Sequence, residues 1–102
     1  MSLPLMGAGP SAIAAGAPCD FTGSGATFLS SDANGCYEEN GTYGGKAAYE
    51  NENGWWLYYD LGWWVCAPAI EGAVHFEIEN AGDTPPTGTW DTGVGSGTFV
   101  VA

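Results

Sequence analysis

Twelve Asp and Glu residues against a single Lys and no Arg give this 102-residue chain a formal net charge of −11. A surface of that sign repels DNA, RNA and anionic membranes, so neither nucleic acid nor membrane is an expected partner. With 45% hydrophobic and 14% aromatic residues the chain is still too apolar to stay disordered, and its length suits one small domain with one core.

Residues 1–20 stand apart. They are rich in Gly, Ala and Pro, hold no charge before Asp20 and show no strand alternation, the composition of an extended arm rather than of a core. Leu3, Leu5, Met6 and Ile13 are its apolar contacts and mark it as an assembly arm, with residues 21–102 forming a β-domain behind it. The opening lacks the positive region of a secretory signal peptide. No stretch reaches the roughly 18 consecutive apolar residues that span a bilayer.

Short strands between turn clusters follow. Residues 26–29 predict a first strand, and residues 31–35 a turn in which Asn34-Gly35 supplies the positive φ of a tight hairpin. Residues 36–38 begin a second strand, Asn40-Gly41 turns it, and residues 42–43 and 46–50 flank Gly44-Gly45. Residues 51–54 then turn the chain into its most aromatic stretch, which holds four of the five tryptophans.

That stretch predicts a hairpin: residues 55–59 as one strand, a three-residue turn at 60–62 ending in Gly62, and residues 63–66 as the return. Pairing Tyr59 with Trp63 puts Trp55, Leu57, Tyr59, Trp63 and Val65 on one face, and Trp56, Tyr58, Trp64 and Cys66 on the other. Both faces are then apolar, and one sheet face cannot hide them both. A second sheet, another copy of the chain or a ligand must cover Trp56, Tyr58 and Trp64, the candidate aromatic surface or interface.

Beyond the hairpin, residues 68–72 form a loop. Residues 74–79 alternate, with Val74, Phe76 and Ile78 to one side and His75, Glu77 and Glu79 to the other, a strand with one wet face. Residues 80–88, with Pro85-Pro86, form a loop, residues 89–91 a short strand, and glycine-rich 93–97 leads to a last strand at 98–101. No segment repeats every 3.6 residues. Short strands with Gly-rich turns predict an all-β fold, a small antiparallel β-sandwich or open barrel with an extended N-terminal arm.

Catalysis has little to stand on. His75 has Glu77 and Glu79 as orienting carboxylates, but the pattern places no Ser or Cys beside it. Pairs drawn from Glu38, Glu39, Glu50 and Glu52 for glycoside hydrolysis are what twelve acids always offer. No catalytic residue is expected, and the chain reads as no enzyme. Asp32, Asn34, Glu38, Glu39 and Asn40 sit in or beside turns with the hard oxygens that Ca²⁺ takes. Their spacing matches no EF-hand, so Ca²⁺ is a weak alternative to no cofactor.

Cys19, Cys36 and Cys66 share no metal-ligand spacing and leave at least one thiol unpaired; idle thiols are expected, with a Cys36–Cys66 link as the pairing weighed against that. The tryptophans could stack sugar rings. Burying all five, ~1,000 Å² at ~25 cal/mol/Å², contributes about 25 kcal/mol gross. A small chain facing backbone ordering costs of roughly 1–2 kcal/mol per residue needs that burial, which favours core packing.

Asn34-Gly35-Cys36-Tyr37, Asn40-Gly41-Thr42-Tyr43, Gly45-Lys46 with Tyr49, and Gly54-Trp55-Trp56-Leu57-Tyr58-Tyr59-Asp60 with Trp63 occur in a telling order. The chain resembles a small β-rich module of phage and environmental proteins with an Asn-Gly-x-Tyr turn, a Gly-Lys-x-x-Tyr strand and a Leu-Tyr-Tyr…Trp hairpin. Pro85-Pro86-Thr87-Gly88-Thr89-Trp90 fits the same pattern, and residues 3–11 look like the starts of short tailed-phage structural proteins. The likeness covers about two-thirds of the chain and speaks to fold, with no catalytic residue to carry over. It implies a non-enzymatic virion protein, a capsid decoration or head–tail accessory assembled in the host cytoplasm. Its expected partners are capsid or tail subunits and copies of itself. The alternative is a carbohydrate-binding module that takes a glycan on the Trp/Tyr hairpin.

Overall fold

The computed structural model describes residues 19–102; the arm contacts Leu3, Leu5, Met6 and Ile13 lie outside the described residues. Among the described residues the fold is all-β. The strands are β1 (Phe21–Ala26), β2 (Gly35–Tyr43), β3 (Lys46–Asn51), β4 (Trp56–Asp60), β5 (Trp63–Ala67), β6 (Phe76–Glu79), β7 (Gly88–Thr89), β8 (Asp91–Thr92) and β9 (Gly97–Val101). They form one antiparallel sheet in the order β7-β9-β1-β2-β3-β4-β5-β6-β8. The two outermost strands flank Trp90 in sequence, and β8 lies against β9, so the sheet curls into a nearly closed barrel. Closure leaves little free edge for unwanted strand pairing.

The aromatic hairpin forms one residue out of the expected register. Asp60 pairs with Trp63, Tyr59 with Trp64, and Leu57 with Cys66. The loop is Leu61-Gly62 alone, with φ of 51° and 96°. Two positive φ angles make the mirror-image turn whose twist suits paired strands, and that geometry prevails even with Leu at the first position. A slip of one residue exchanges every side chain of the return strand between faces. Trp55, Leu57, Trp64 and Cys66 therefore point inward, with Tyr59 packed against them. Tyr58, Val65 and Ala67 point outward, with Trp56 and Trp63 beside them.

The interior is filled by side chains. Tyr37, Leu57, Trp64, Cys66, Phe76 and Phe99 have no exposure, and Trp90 has 2%. Phe76 stacks on Phe99 at 4.7 Å, and Trp90 meets Phe99 edge-on at 5.8 Å. The loop between β6 and β7 closes one end of the barrel. Its Gly82 and Pro86 carbonyls accept from the indole N–H groups of Trp64 and Trp90 at 3.2 and 2.9 Å. The 3-10 helix Phe28–Ala33, the turn after β3 and the segments 68–75 and 93–96 gather at the other end.

Several expectations change here. Residues 26–29 are no strand: β1 ends at Ala26 and the 3-10 helix begins at Phe28. Asn34 makes no hairpin turn. Its side chain clips to Ala26 instead, accepting from the amide and donating to the carbonyl, each at 2.9 Å. Asn40-Gly41 is a bulge inside one continuous β2, where the register jumps between Glu39 and Thr42 and Gly41 takes φ 86°. Cys36 is bonded to Cys19, not to Cys66. Strand alternation explains this: Tyr37 points inward with its hydroxyl 3.6 Å from Cys66 Sγ, so Cys36 faces away. Cys66 stays a free buried thiol, pushed up to about 12 by desolvation.

Candidate functional site

The outer face of the hairpin was the first candidate, and the structure divides it. Trp64 is fully buried on the opposite, inner face, and Tyr58 is 1% exposed under the chain itself. Ile70 and Val74, from the segment after β5, pack over Ala48, Tyr58, Val65 and Ala67. Glu71 clasps this strap from both directions: its amide donates to Tyr58 Oη at 2.9 Å, and its carboxylate accepts from Tyr43 Oη. That hydrogen bond pushes the Tyr43 phenol up to about 12, with desolvation and the Glu71 charge behind it. The cover that the sequence called for is largely the chain's own.

What stays partly open on this face is Trp56 and, unforeseen, Trp63. Carboxylates border both in the ladder: Glu50 opposite Trp56, and Asp60 and Glu79 on either side of Trp63. An indole face beside hydrogen-bond acceptors can stack a sugar ring and hold its hydroxyls.

His75 leaves the wet face expected of it. Regular pairing of β6 starts at Phe76. The His75 amide donates to the Cys66 carbonyl at 2.9 Å, while its own carbonyl accepts from Gly93 and Gly95 at 2.8 and 3.1 Å. Its ring packs edge-on to Trp55 at 4.6 Å, and Nδ1 lies 2.8 Å from Ser30 Oγ. Ser30 Oγ also accepts from the Ser96 amide at 2.9 Å, so the hydroxyl bridges that amide and His75, with the imidazole tautomer setting which of Oγ and Nδ1 donates. Desolvation lowers the His75 pKa and favours the neutral form.

A serine and a histidine in contact suggest a nucleophile and its base. Yet Ser30 has no solvent exposure and its hydroxyl is engaged by both His75 and the Ser96 amide. Among the described residues no carboxylate bonds the imidazole, which a catalytic triad would use to orient it. The contact is a seam that joins the 3-10 helix, the start of β6 and the segment 93–96. Sequence reasoning missed it because Ser30 and His75 are 45 residues apart.

Of the turn residues weighed for Ca²⁺, the Asn34 and Asn40 side chains have protein partners. Asn34 holds Ala26, Asn40 donates to Glu50 Oε1 at 2.8 Å, and the Asp32 carbonyl accepts from Asn51 and Asn53. Among the described residues no group of three or more His, Cys, Asp and Glu could hold an ion. Lys46, the chain's single basic side chain, pairs with Asp83 at 2.9 Å and lies over the Tyr59 ring. Its charge holds the Asp83 carboxyl below the usual range, through their hydrogen bond first.

Two features remain that the sequence did not single out. The disulfide Cys19–Cys36 fixes the start of the described chain to β2, and Asp20 adds a hydrogen bond to the Glu39 amide at 2.8 Å. At the seam end, Phe28, Leu29 and Val94 are 86%, 89% and 70% exposed. No family model, curated protein or solved structure matches the chain.

Proposed function

We propose that this chain is a non-enzymatic phage virion structural protein, a capsid decoration or head–tail accessory, whose acidic barrel is carried by an N-terminal arm. The observation that carries this role is the clamp at Cys19–Cys36, which ties the uncharged segment 1–18 to a filled, nearly closed barrel. A rigid head on a neutral tether suits attachment without chemistry. Disulfides persist in oxidising surroundings such as virion surfaces, which suits a particle outside its host. The net charge of −11 keeps crowded heads soluble and apart.

The test is occupancy on purified particles. Deleting residues 1–18 should remove the protein, while the intact chain should hold or gain occupancy as salt rises and repulsion between heads is screened. Steady loss with salt would point to attachment through charge on a basic partner. The alternative is carbohydrate binding by the outer face, favoured by the partly open Trp56 and Trp63 with Glu50, Asp60 and Glu79 beside them. A soluble glycan that shifts tryptophan fluorescence in wild type, and not in Trp56→Ala or Trp63→Ala, would select it.

A further inference from the structure

We propose that the apolar end of the barrel, formed by Phe28, Leu29 and Val94, is a docking surface for residues 1–18 of a neighbouring copy, a proposal that rests on the repeated-subunit role above. Phe28 and Leu29 are not the tip of a loose loop. Phe28 holds φ 49°, a left-handed conformation unfavourable for a bulky residue and kept only when its surroundings enforce it.

Those surroundings are locked on both sides. The Thr27 amide donates to the Ser96 carbonyl, and the Ser30 amide to the Thr27 carbonyl, each at 2.9 Å. Ser30 and Ala33 are fully buried, and Asn34 binds back to Ala26. The Ser96 amide reaches Ser30 Oγ, which brings Val94's segment to the same end. A strained, hydrogen-bonded backbone thus presents large apolar side chains to water at a fixed place on the barrel end. Preorganised, exposed anchors of this kind are what a binding hot spot requires.

Charge selects the occupant. Asp32 and Glu52 stand exposed at this end, so two copies meeting through it would set those acids against themselves. Anionic lipid meets the same repulsion. All twelve acids of the chain follow residue 19, so residues 1–18 can approach another barrel with no carboxylate side chain of their own. They bring Leu3, Leu5, Met6 and Ile13 as apolar contacts. Fully extended, they reach about 60 Å at ~3.3 Å per residue, about twice the ~30 Å of the nine-residue β2. Their root is held at Cys36, three residues beyond the 3-10 helix that carries Phe28 and Leu29, so docking on a neighbour and docking within one chain are told apart by the mixing experiment below.

The test uses the full, oxidised chain. Sedimentation over a concentration series should show self-association. Phe28→Gly/Leu29→Ser should weaken it about tenfold or more, as loss of hot-spot side chains does, and Leu3→Ser/Leu5→Ser likewise. The melting temperature of the Phe28→Gly/Leu29→Ser chain should be unchanged or higher, because glycine relieves the left-handed strain. Mixing the two variants supplies one intact patch and one intact arm, and should restore a one-to-one complex, which docking within a single chain cannot do. A wild-type chain that stays monomeric, a patch variant that associates like wild type, or a mixture that stays apart each overturns the proposal. Occupancy lost on arm deletion but kept in the patch variant would leave the virion role standing and remove this surface.

Discussion

Trp63 and Trp64 are adjacent in sequence and face opposite sides of β5, so truncating each in turn tests the register of the hairpin. Trp64 has no exposure, lies 6.4 Å from Tyr49 and 5.7 Å from Tyr59 between ring centroids, and donates to the Gly82 carbonyl. Trp64→Ala empties that volume inside a closed wall and should cost about 3–5 kcal/mol, toward the upper end once the aromatic contacts are counted. Gly82 is exposed, so its carbonyl turns to water and adds little. Trp63 is partly open on the outer face, so Trp63→Ala leaves no closed cavity and should cost about 2 kcal/mol. A small domain holds only about 5–15 kcal/mol in total, which makes the difference easy to read. The assay is urea unfolding followed by far-UV circular dichroism, with Trp64→Phe as the variant that folds if Trp64→Ala does not. Equal costs, or a larger cost at Trp63, would place Trp63 inside and restore the Tyr59–Trp63 register.

Acid should loosen the seam. The folded His75 pKa lies below its unfolded value of about 6.5, so its contribution to stability is complete above that value and is lost as pH falls through the folded pKa. His75→Asn should remove that part of the slope in a pH series of melting temperatures, and an identical slope in the variant would refute the assignment. Reduction of Cys19–Cys36, which are 17 residues apart, should destabilise the domain by about 3 kcal/mol by loop entropy. In the unreduced, denatured chain a thiol reagent should titrate Cys66 alone; three reactive thiols would exclude the bond. Leu61→Asn creates Asn-Gly in a loop that needs two positive φ angles and should stabilise the hairpin by about 1 kcal/mol. A loss of stability there would mean the turn is not of this type.

The sequence alone was enough for the fold class. Gly44-Gly45, residues 51–54 and the loops at 68–72 and 80–88 bound strands, and the period of two is plain in Phe76–Glu79, because local turn chemistry and alternation are written in adjacent residues. It also pointed to a covered second face on the aromatic hairpin, since tryptophan and tyrosine stood at both parities.

Tertiary structure decided the rest. The register of β4 on β5 turned on a two-residue loop with Leu61 in the left-handed region, where a three-residue turn read equally well from composition. Phe28–Ala33 became a 3-10 helix although its first residues suit a strand, because Ser30 finds partners at His75 and Ser96 that only closure of the barrel supplies, while Asn34 clips back to nearby Ala26. Disulfide choice followed the faces of the strands, with Cys66 inside and Cys36 out. Local preference acts over a few residues, whereas the seam, the clamp at Cys19 and the apolar end each join segments far apart in the chain, and only the packed sheet brings them together.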